Sequence, residues 1–226
     1  MPRSFLSLVL DMCRRPGRAM QEIAAGADYW PPLLFAALFT GALAAARFAL
    51  IFAPAQLGII AGLPAAALGP ERRQLAVAFL QSGLAVFAVG LLRAAAAALG
   101  VFLAASVLYG AAIVMEERRE FRFRQLLAVV CCANLALVLG EAALTAWAFL
   151  GWDAAAWGPA WFFPAGPARA FLSGFDLFRI LGLVLAALGL MAASGFSRLK
   201  AGATVAGLWV VAVFLNVAAR ILLSLA

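Results

Sequence analysis

Four stretches of this chain each run for about twenty residues or more with at most two charged side chains. They are Pro31–Ala53, Leu126–Leu150, Leu172–Ala193 and Ala203–Leu223. A helix of about 20 apolar residues crosses roughly 30 Å of hydrocarbon, so each stretch is as long as a membrane span. Hydrophobic residues make up 67% of the chain and charged residues 12%, whereas soluble domains hold about half and about a quarter. The sequence therefore predicts an all-α polytopic membrane protein.

The segment Gln74–Val114 is harder to interpret, because at about 1.5 Å per residue it would be roughly twice as long as one crossing. Arg93 is its only charged residue, and it contains no proline. It is either a hairpin of two spans or one span, around Leu84–Val114, preceded by a helix that lies elsewhere. The charged run that follows it, residues 116–124, distinguishes these two arrangements. Seven of its nine residues are charged, and its side of the membrane depends on the number of crossings before it.

Basic residues favour the cytoplasmic side of a membrane. Two crossings in Gln74–Val114 would place the arginines of the charged run outside, whereas one crossing places them inside. The balance is then ten basic residues inside against three outside. Those inside are Arg3, Arg14, Arg15, Arg18, Arg118, Arg119, Arg122, Arg124, Arg198 and Lys200, and those outside are Arg72, Arg73 and Arg169.

We therefore predict one membrane domain over residues 1–226 in a bacterial inner membrane, with a cytoplasmic N-terminus and a periplasmic C-terminus. The five transmembrane helices are expected at residues 31–53, 84–114, 126–150, 172–193 and 203–223. Arg118, Arg119, Arg122 and Arg124 are expected to form a cytoplasmic anchor. A binding site for a regulator is the alternative interpretation of this charged run.

Short amphipathic helices are expected at the membrane surface. Apolar residues recur at helical spacing before and after Pro16, which predicts two cytoplasmic interfacial helices within residues 1–29. The segment Gly69–Ser82 is expected to play the same part outside. Cys13, Cys131 and Cys132 have no metal-binding spacing, so all three are expected to pack as small apolar residues.

Three sequence motifs resemble those of a known family. They are "RRPGRAMQEIAAGADYWPPLLFAAL" before and into the first span, "FRFRQLLAVV" at the third, and "FDLFRILGLVLAALGL" at the fourth. Over about residues 10–223 the chain resembles a divergent bacterial member of the Yip family, membrane proteins named for interaction with Rab-type GTPases. The resemblance implies five helical spans and little about chemistry.

Catalysis is not expected from this sequence. The chain has no histidine, which excludes histidine-activated nucleophiles, histidine proton relays and the zinc-protease helix motif. No phosphate-binding glycine loop is present, because Gly182, Gly189, Gly195, Gly202 and Gly207 are spread through apolar sequence, where they suit close helix packing. We expect no enzyme activity, no cofactor and no metal site.

Ionisable residues within the spans are the candidate functional residues, since each costs about 2.5–3.5 kcal/mol at a helix centre on insertion scales. On the five-span topology all of them lie in the outer half of the membrane: Arg47, Arg93, Glu141, Asp176, Arg179 and Arg220. We call them the intramembrane cluster.

Two interpretations of the intramembrane cluster are open. In the structural one, Arg47 and Arg220 extend outward, Asp176 pairs with Arg179, and Arg93 pairs with Glu141 to join the second span to the third. In the functional one, the same groups line a cavity open to the outer face that admits a lipid headgroup or a small anion. Asn134, Thr145 and Asn216 would extend such a site.

The sequence thus favours a non-enzymatic scaffold or membrane-organising protein of the Yip type. The alternatives are a transporter or lipid-moving protein that uses the intramembrane cluster, and an accessory subunit of a larger membrane complex. The expected partners are anionic membrane lipids and either a membrane protein or a second copy of the chain. No nucleic-acid partner is expected, because the basic residues are scattered in short loops between the spans.

Overall fold

The computed structural model describes residues 5–26, 28–62, 69–115, 122–150, 172 and 175–225, and every regular element in these ranges is a helix. Helices α1 and α2 precede the first span. Helices α3 and α4 form one continuous rod, with the wider π turn Phe48–Phe52 between them. The bounds are α1 Phe5–Arg14, α2 Pro16–Ala24, α3 Trp30–Arg47, α4 Ala53–Gly62, α5 Pro70–Gln81, α6 Gly83–Met115, α7 Phe123–Phe149, α8 Leu177–Ser194 and α9 Arg198–Leu225.

Five helices in the described ranges are long and apolar enough to cross a membrane: the α3–α4 rod, α6, α7, α8 and α9. Successive spans run in opposite directions. The N-termini of α3, α7 and α9 therefore lie together with the C-termini of α6 and α8, and we call this the basic end. The other side, where α6 and α8 begin, is the far end.

Helix α7 occupies the centre of the bundle. Two thirds (67%) of its most apolar stretch is buried, against 17–33% in the other four spans. It packs against α2, α3, α6 and α8. Leu126, Val129, Cys131 and Cys132 are each at most 1% exposed, so the expectation that these two cysteines pack as apolar residues is confirmed.

Glycines allow α7 and α8 to approach closely along their length. A Cβ on Gly140 would lie 2.7 Å from Phe178 Cβ, and one on Gly189 would overlap both methyl groups of Val129. Gly182 faces the carbonyl of Ala133. Because dispersion contacts replace the hydrophobic effect between helices in lipid, this approach is a main source of bundle stability.

Not every predicted packing glycine serves that purpose. Gly195 ends α8 with φ of 73°, the left-handed conformation that glycine adopts without strain. At Gly202 and Gly207 an added Cβ would have no heavy atom within 4 Å in the part of the chain that the structure describes. The close-packing prediction is therefore right for Gly182 and Gly189 and wrong for the other three.

The segment Gln74–Val114 forms one crossing preceded by a separate helix, as predicted. Helix α5 ends at Gln81, where Ser82 adopts an extended conformation. The Ser82 hydroxyl accepts a hydrogen bond from the Ala85 N–H at 3.1 Å and so caps α6. Ser82 thus explains why so long an apolar segment is not one helix.

The helix bounds differ from prediction by five residues or more at three spans. The first helix does not end at Ala53 but continues to Gly62, because the π turn ends two residues before Pro54 and opens the backbone where proline has no N–H to donate. The fourth begins at Leu177 rather than Leu172, because Asp176 caps it. The fifth begins at Arg198 rather than Ala203, since Ser197 Oγ accepts from the Lys200 N–H at 3.3 Å.

The two N-terminal helices exist, but α2 does more than rest on a membrane surface. Met20 and Ile23 are fully buried in the same core as Leu126 and Leu190. Their helix packs against α7 and α8, because its apolar face matches the groove between those helices. Cys13, by contrast, is exposed rather than packed, since Met12 takes the inward position on α1.

Candidate functional site

Glu141, in the second half of α7, lies between two arginines from neighbouring spans. Arg47 Nη1 of α3 donates a hydrogen bond to Glu141 Oε2 at 3.0 Å. Arg93 Nη2 of α6 lies 3.6 Å from the other carboxylate oxygen, Oε1, which is an ion-pair distance but longer than a hydrogen bond. One carboxylate thus joins three spans.

The close crossing of α3 and α6 places these arginines side by side. A Cβ on Gly41 would lie 2.6 Å from the carbonyl oxygen of Gly90, and one on Gly90 would lie 3.2 Å from Ala45 Cβ. Only glycine permits such an approach of two backbones. Arg47 and Arg93 follow these glycines by two turns and one turn, so both guanidinium groups reach α7.

A second ion pair lies at the start of α8. The Asp176 carboxylate accepts the backbone N–H of Arg179 at 2.8 Å through Oδ1 and the Arg179 Nε at 2.9 Å through Oδ2. One side chain therefore caps the helix and fixes the arginine. Asp176 is only 13% exposed, so this pairing also satisfies a nearly buried charge.

Both pairs border one cavity of about 690 Å³. Its walls come from five helices: α3, α6, α7, α8 and α9. Its polar lining is Thr40, Arg93, Asn134, Glu141, Asp176 and Arg179, and the rest is mainly Ala, Leu and Val with Phe178 and Trp209. With Arg47, which holds Glu141 from the α3 side, three guanidinium groups face two carboxylates, so the site carries one net positive charge.

The Yip1 domain model matches residues 10–219 of this chain. The chain belongs to the Yip1 domain family. No curated protein and no solved structure is similar enough to the chain to count as a match. The family resemblance predicted from the motifs is thereby confirmed over almost the same residues.

Within this Yip1 domain, five of the six residues of the intramembrane cluster lie in the matched range and border the cavity or its ion pairs. Arg220 lies one residue beyond the match, and its side chain is outside the described residues. The predicted Arg93–Glu141 and Asp176–Arg179 pairs are both present. The expectation that Arg47 extends outward is wrong, because the α3–α6 crossing aims it at Glu141.

Some of the other polar residues of the spans line the cavity and others do not. Asn134 lines the cavity. Thr145 instead donates to the carbonyl of Glu141 within its own helix at 2.6 Å, and Asn216 is exposed on α9 outside the cavity lining. Sequence reasoning missed Thr40, Phe178 and Trp209, which carry no charge to mark them.

The predicted cytoplasmic anchor is only partly described, because Arg118 and Arg119 lie outside the described residues. The backbone N–H of Arg122 donates to Gln125 Oε1 at 2.8 Å at the start of α7. Arg124 Nη2 lies 3.8 Å from Asp28 Oδ1 and its guanidinium 5.8 Å from the Tyr29 ring centroid. These contacts join the starts of α3 and α7 at the basic end.

Also at the basic end, Lys200 joins α9 to α6. Its Nζ donates a hydrogen bond to the Met115 carbonyl of α6 and lies 4.4 Å from the Phe196 ring centroid. Thr204 Oγ1 also lies 3.2 Å from Met115 Sδ. In the described part of this Yip1 domain, no group of three Cys, Asp or Glu side chains is arranged to hold a metal ion. The charged and polar side chains that line the cavity can pair charges and make hydrogen bonds.

Proposed function

We propose that this Yip1 domain protein is a non-enzymatic membrane-organising scaffold that acts through lateral helix contacts and contacts with lipid. The observation that carries the proposal is the outward face of α6. The most apolar stretch of this helix is 22% buried, like that of the α3–α4 rod (22%) and α9 (17%), and its exposed side carries small residues. The outward face therefore remains available to another membrane helix.

Small residues on that face suit a close helix contact. Ser106 and Gly110 lie one turn apart on the exposed side of α6, and neither lines the cavity. No heavy atom of the described residues lies within 4 Å of a Cβ added to Gly110. Small residues spaced by four let membrane helices approach closely enough for dispersion contacts to accumulate. The partner is a membrane protein or a second copy of the chain.

A second candidate function, movement of a lipid, is favoured by the cavity and its charged rim. Transporters often show repeated halves or helices broken near the midplane. The π turn Phe48–Phe52 widens the first helix without breaking it, so the scaffold remains the preferred function. Lipids with anionic headgroups are the proposed lipid partners of either function, and nucleic acid is not a proposed partner.

The proposed location is a bacterial inner membrane with the basic end in the cytoplasm and the C-terminus in the periplasm. The distribution of charge supports this orientation. The described basic residues at or near the basic end are Arg14, Arg15, Arg18, Arg122, Arg124, Arg198 and Lys200, whereas α5 carries Arg72 and Arg73 beyond the far end. Cytoplasmic segments are enriched in Lys and Arg.

The scaffold proposal predicts that Gly110→Leu releases the partner. Leucine would separate the two helix backbones and remove contacts along the small-residue face, so we expect about a tenfold loss of complex. The measurement is the fraction of full-length protein found in a larger complex after cross-linking in native membrane, with the partner identified by mass spectrometry.

Gly100→Leu is the matched control, because Gly100 is on the same helix and equally uncrowded but faces the cavity. It should leave the complex intact. A complex that survives Gly110→Leu, or a wild-type chain that cross-links to nothing, contradicts the scaffold proposal.

A further inference from the structure

The cavity has the polarity of an amphiphile. Its charged groups, Arg93, Glu141, Asp176 and Arg179, lie toward the far end, where α6 and α8 begin. Toward the basic end the lining becomes apolar, with Leu108 of α6 among its residues. A ligand with a charged head and an apolar tail would therefore lie with its head toward the far end.

The cavity opens sideways to the lipid between α6 and α9. These two helices are joined at the basic end through Met115, Lys200 and Thr204. Farther along, the cavity-lining residues Ala104 of α6 and Ala212 of α9 are exposed. A lipid of the far leaflet can enter by this side without passing through the core of the bundle.

Two arginines at the cavity have hydrogen-bonding capacity left for a ligand. Arg179 uses Nε on Asp176, and among the described residues its terminal nitrogens donate no hydrogen bond. Over the described ranges, the one ion pair of Arg93 is its 3.6 Å contact with Glu141, whose other oxygen accepts a hydrogen bond from Arg47. Guanidinium groups bind phosphate through paired N–H donors.

We infer that the cavity binds one phospholipid with an anionic headgroup, its phosphate between Arg93 and Arg179 and an acyl chain along the apolar lining between α6 and α9. The net positive charge of the site matches an anionic lipid. A volume of about 690 Å³ falls within the range of about 300–1,000 Å³ typical of ligand sites.

Selectivity is expected to come from the headgroup alone. An acyl chain gains little by moving from bilayer hydrocarbon to an apolar cavity, because both surroundings are equally apolar. The lipid site does not include the outward face of α6. The two proposals are therefore tested separately, and either can fail without the other.

The experiment is native mass spectrometry of the purified full-length protein, mixed with equal amounts of phosphatidylglycerol and phosphatidylcholine that carry the same acyl chains. We expect one phosphatidylglycerol bound with about a tenfold preference. Arg93→Gln should abolish this preference without unfolding the chain, because Arg47 still pairs with Glu141. Arg18→Gln, at an exposed pair on α2, is the charge-matched control and should keep the preference.

Gly100→Leu tests the position of the site without changing any charge. Its side chain would extend into the cavity space, where no heavy atom lies within 4 Å of the added Cβ. We expect bound phosphatidylglycerol to fall about fivefold, while Gly110→Leu, outside the cavity, leaves it unchanged. Equal retention of the two lipids by the wild-type protein, or equal binding by the two leucine variants, overturns the inference. If Arg93→Gln does not fold, these two comparisons decide it.

Discussion

Replacing Glu141 with glutamine is expected to lower the folded yield of the protein about tenfold or more. Glutamine keeps the shape of the side chain but leaves Arg47 and Arg93 facing each other without a counter-charge. An arginine at a helix centre costs about 2.5–3.5 kcal/mol on insertion scales, and an average polar contact between membrane helices contributes about 0.6 kcal/mol. We expect the free energy of unfolding to fall by about 2 kcal/mol, as measured by thermal unfolding. The folded yield is measured as the monodisperse protein recovered after extraction.

Two comparisons show whether this loss comes from the contact of Glu141 with Arg47 and Arg93. Glu22→Gln breaks an exposed pair with Arg18 and should cost no more than about 0.5 kcal/mol. Adding Arg47→Gln to Glu141→Gln should cost less than the sum of the single changes, because the first change already removes the interaction. If Glu141→Gln is as mild as Glu22→Gln, the carboxylate does not hold the three spans together.

Gly189→Ala is expected to destabilise the bundle by about 1–3 kcal/mol, the usual cost of overpacking a core. The added Cβ would lie 2.9 Å from Val129 Cγ2 and overlap the other methyl group as well. Val129 is fully buried on the central helix α7, and its β-branched side chain has few rotamers with which to make room. Thermal unfolding in a fixed detergent or lipid nanodisc measures the effect.

A control and a rescue accompany this variant. Gly202→Ala is the same change at a helical position with nothing within 4 Å, and should be neutral or stabilising by up to about 1 kcal/mol through helix propensity. Val129→Ala removes both clashing methyl groups, so Gly189→Ala should cost less in that background than in the wild type. Equal cost in both backgrounds would mean that α7 and α8 do not meet at these residues.

Much of the fold follows from charge and length. The arginines of the charged run predict one crossing in Gln74–Val114, and the structure has one long helix there, α6, preceded by the separate helix α5. Asp176 and Arg179 are three residues apart, so their pairing follows from helical spacing alone. The Arg93–Glu141 pair was predictable because two opposite charges within apolar spans have few other partners.

The remainder depends on how helices cross, which periodicity does not encode. Arg47 reaches Glu141 because Gly41 and Gly90 let α3 and α6 touch, and nothing near Arg47 in the sequence distinguishes this from an arginine that extends to the interface. The cavity exists because α6 and α9 meet at Met115 and line a common space farther along. Such a gap leaves no mark in the sequence of either helix.

The orientation of the basic end determines both the leaflet that the cavity faces and the side on which α2 lies. Cysteine labelling in bacterial cells tests it most directly, because Cys13 near the basic end is exposed. In a Cys131→Ala, Cys132→Ala background, Cys13 should react with a membrane-impermeant maleimide only after the inner membrane is opened. With Cys13→Ala added, Arg72→Cys should react before it is opened. Labelling of Cys13 from the periplasm, with Arg72→Cys protected, would reverse the orientation and contradict the account.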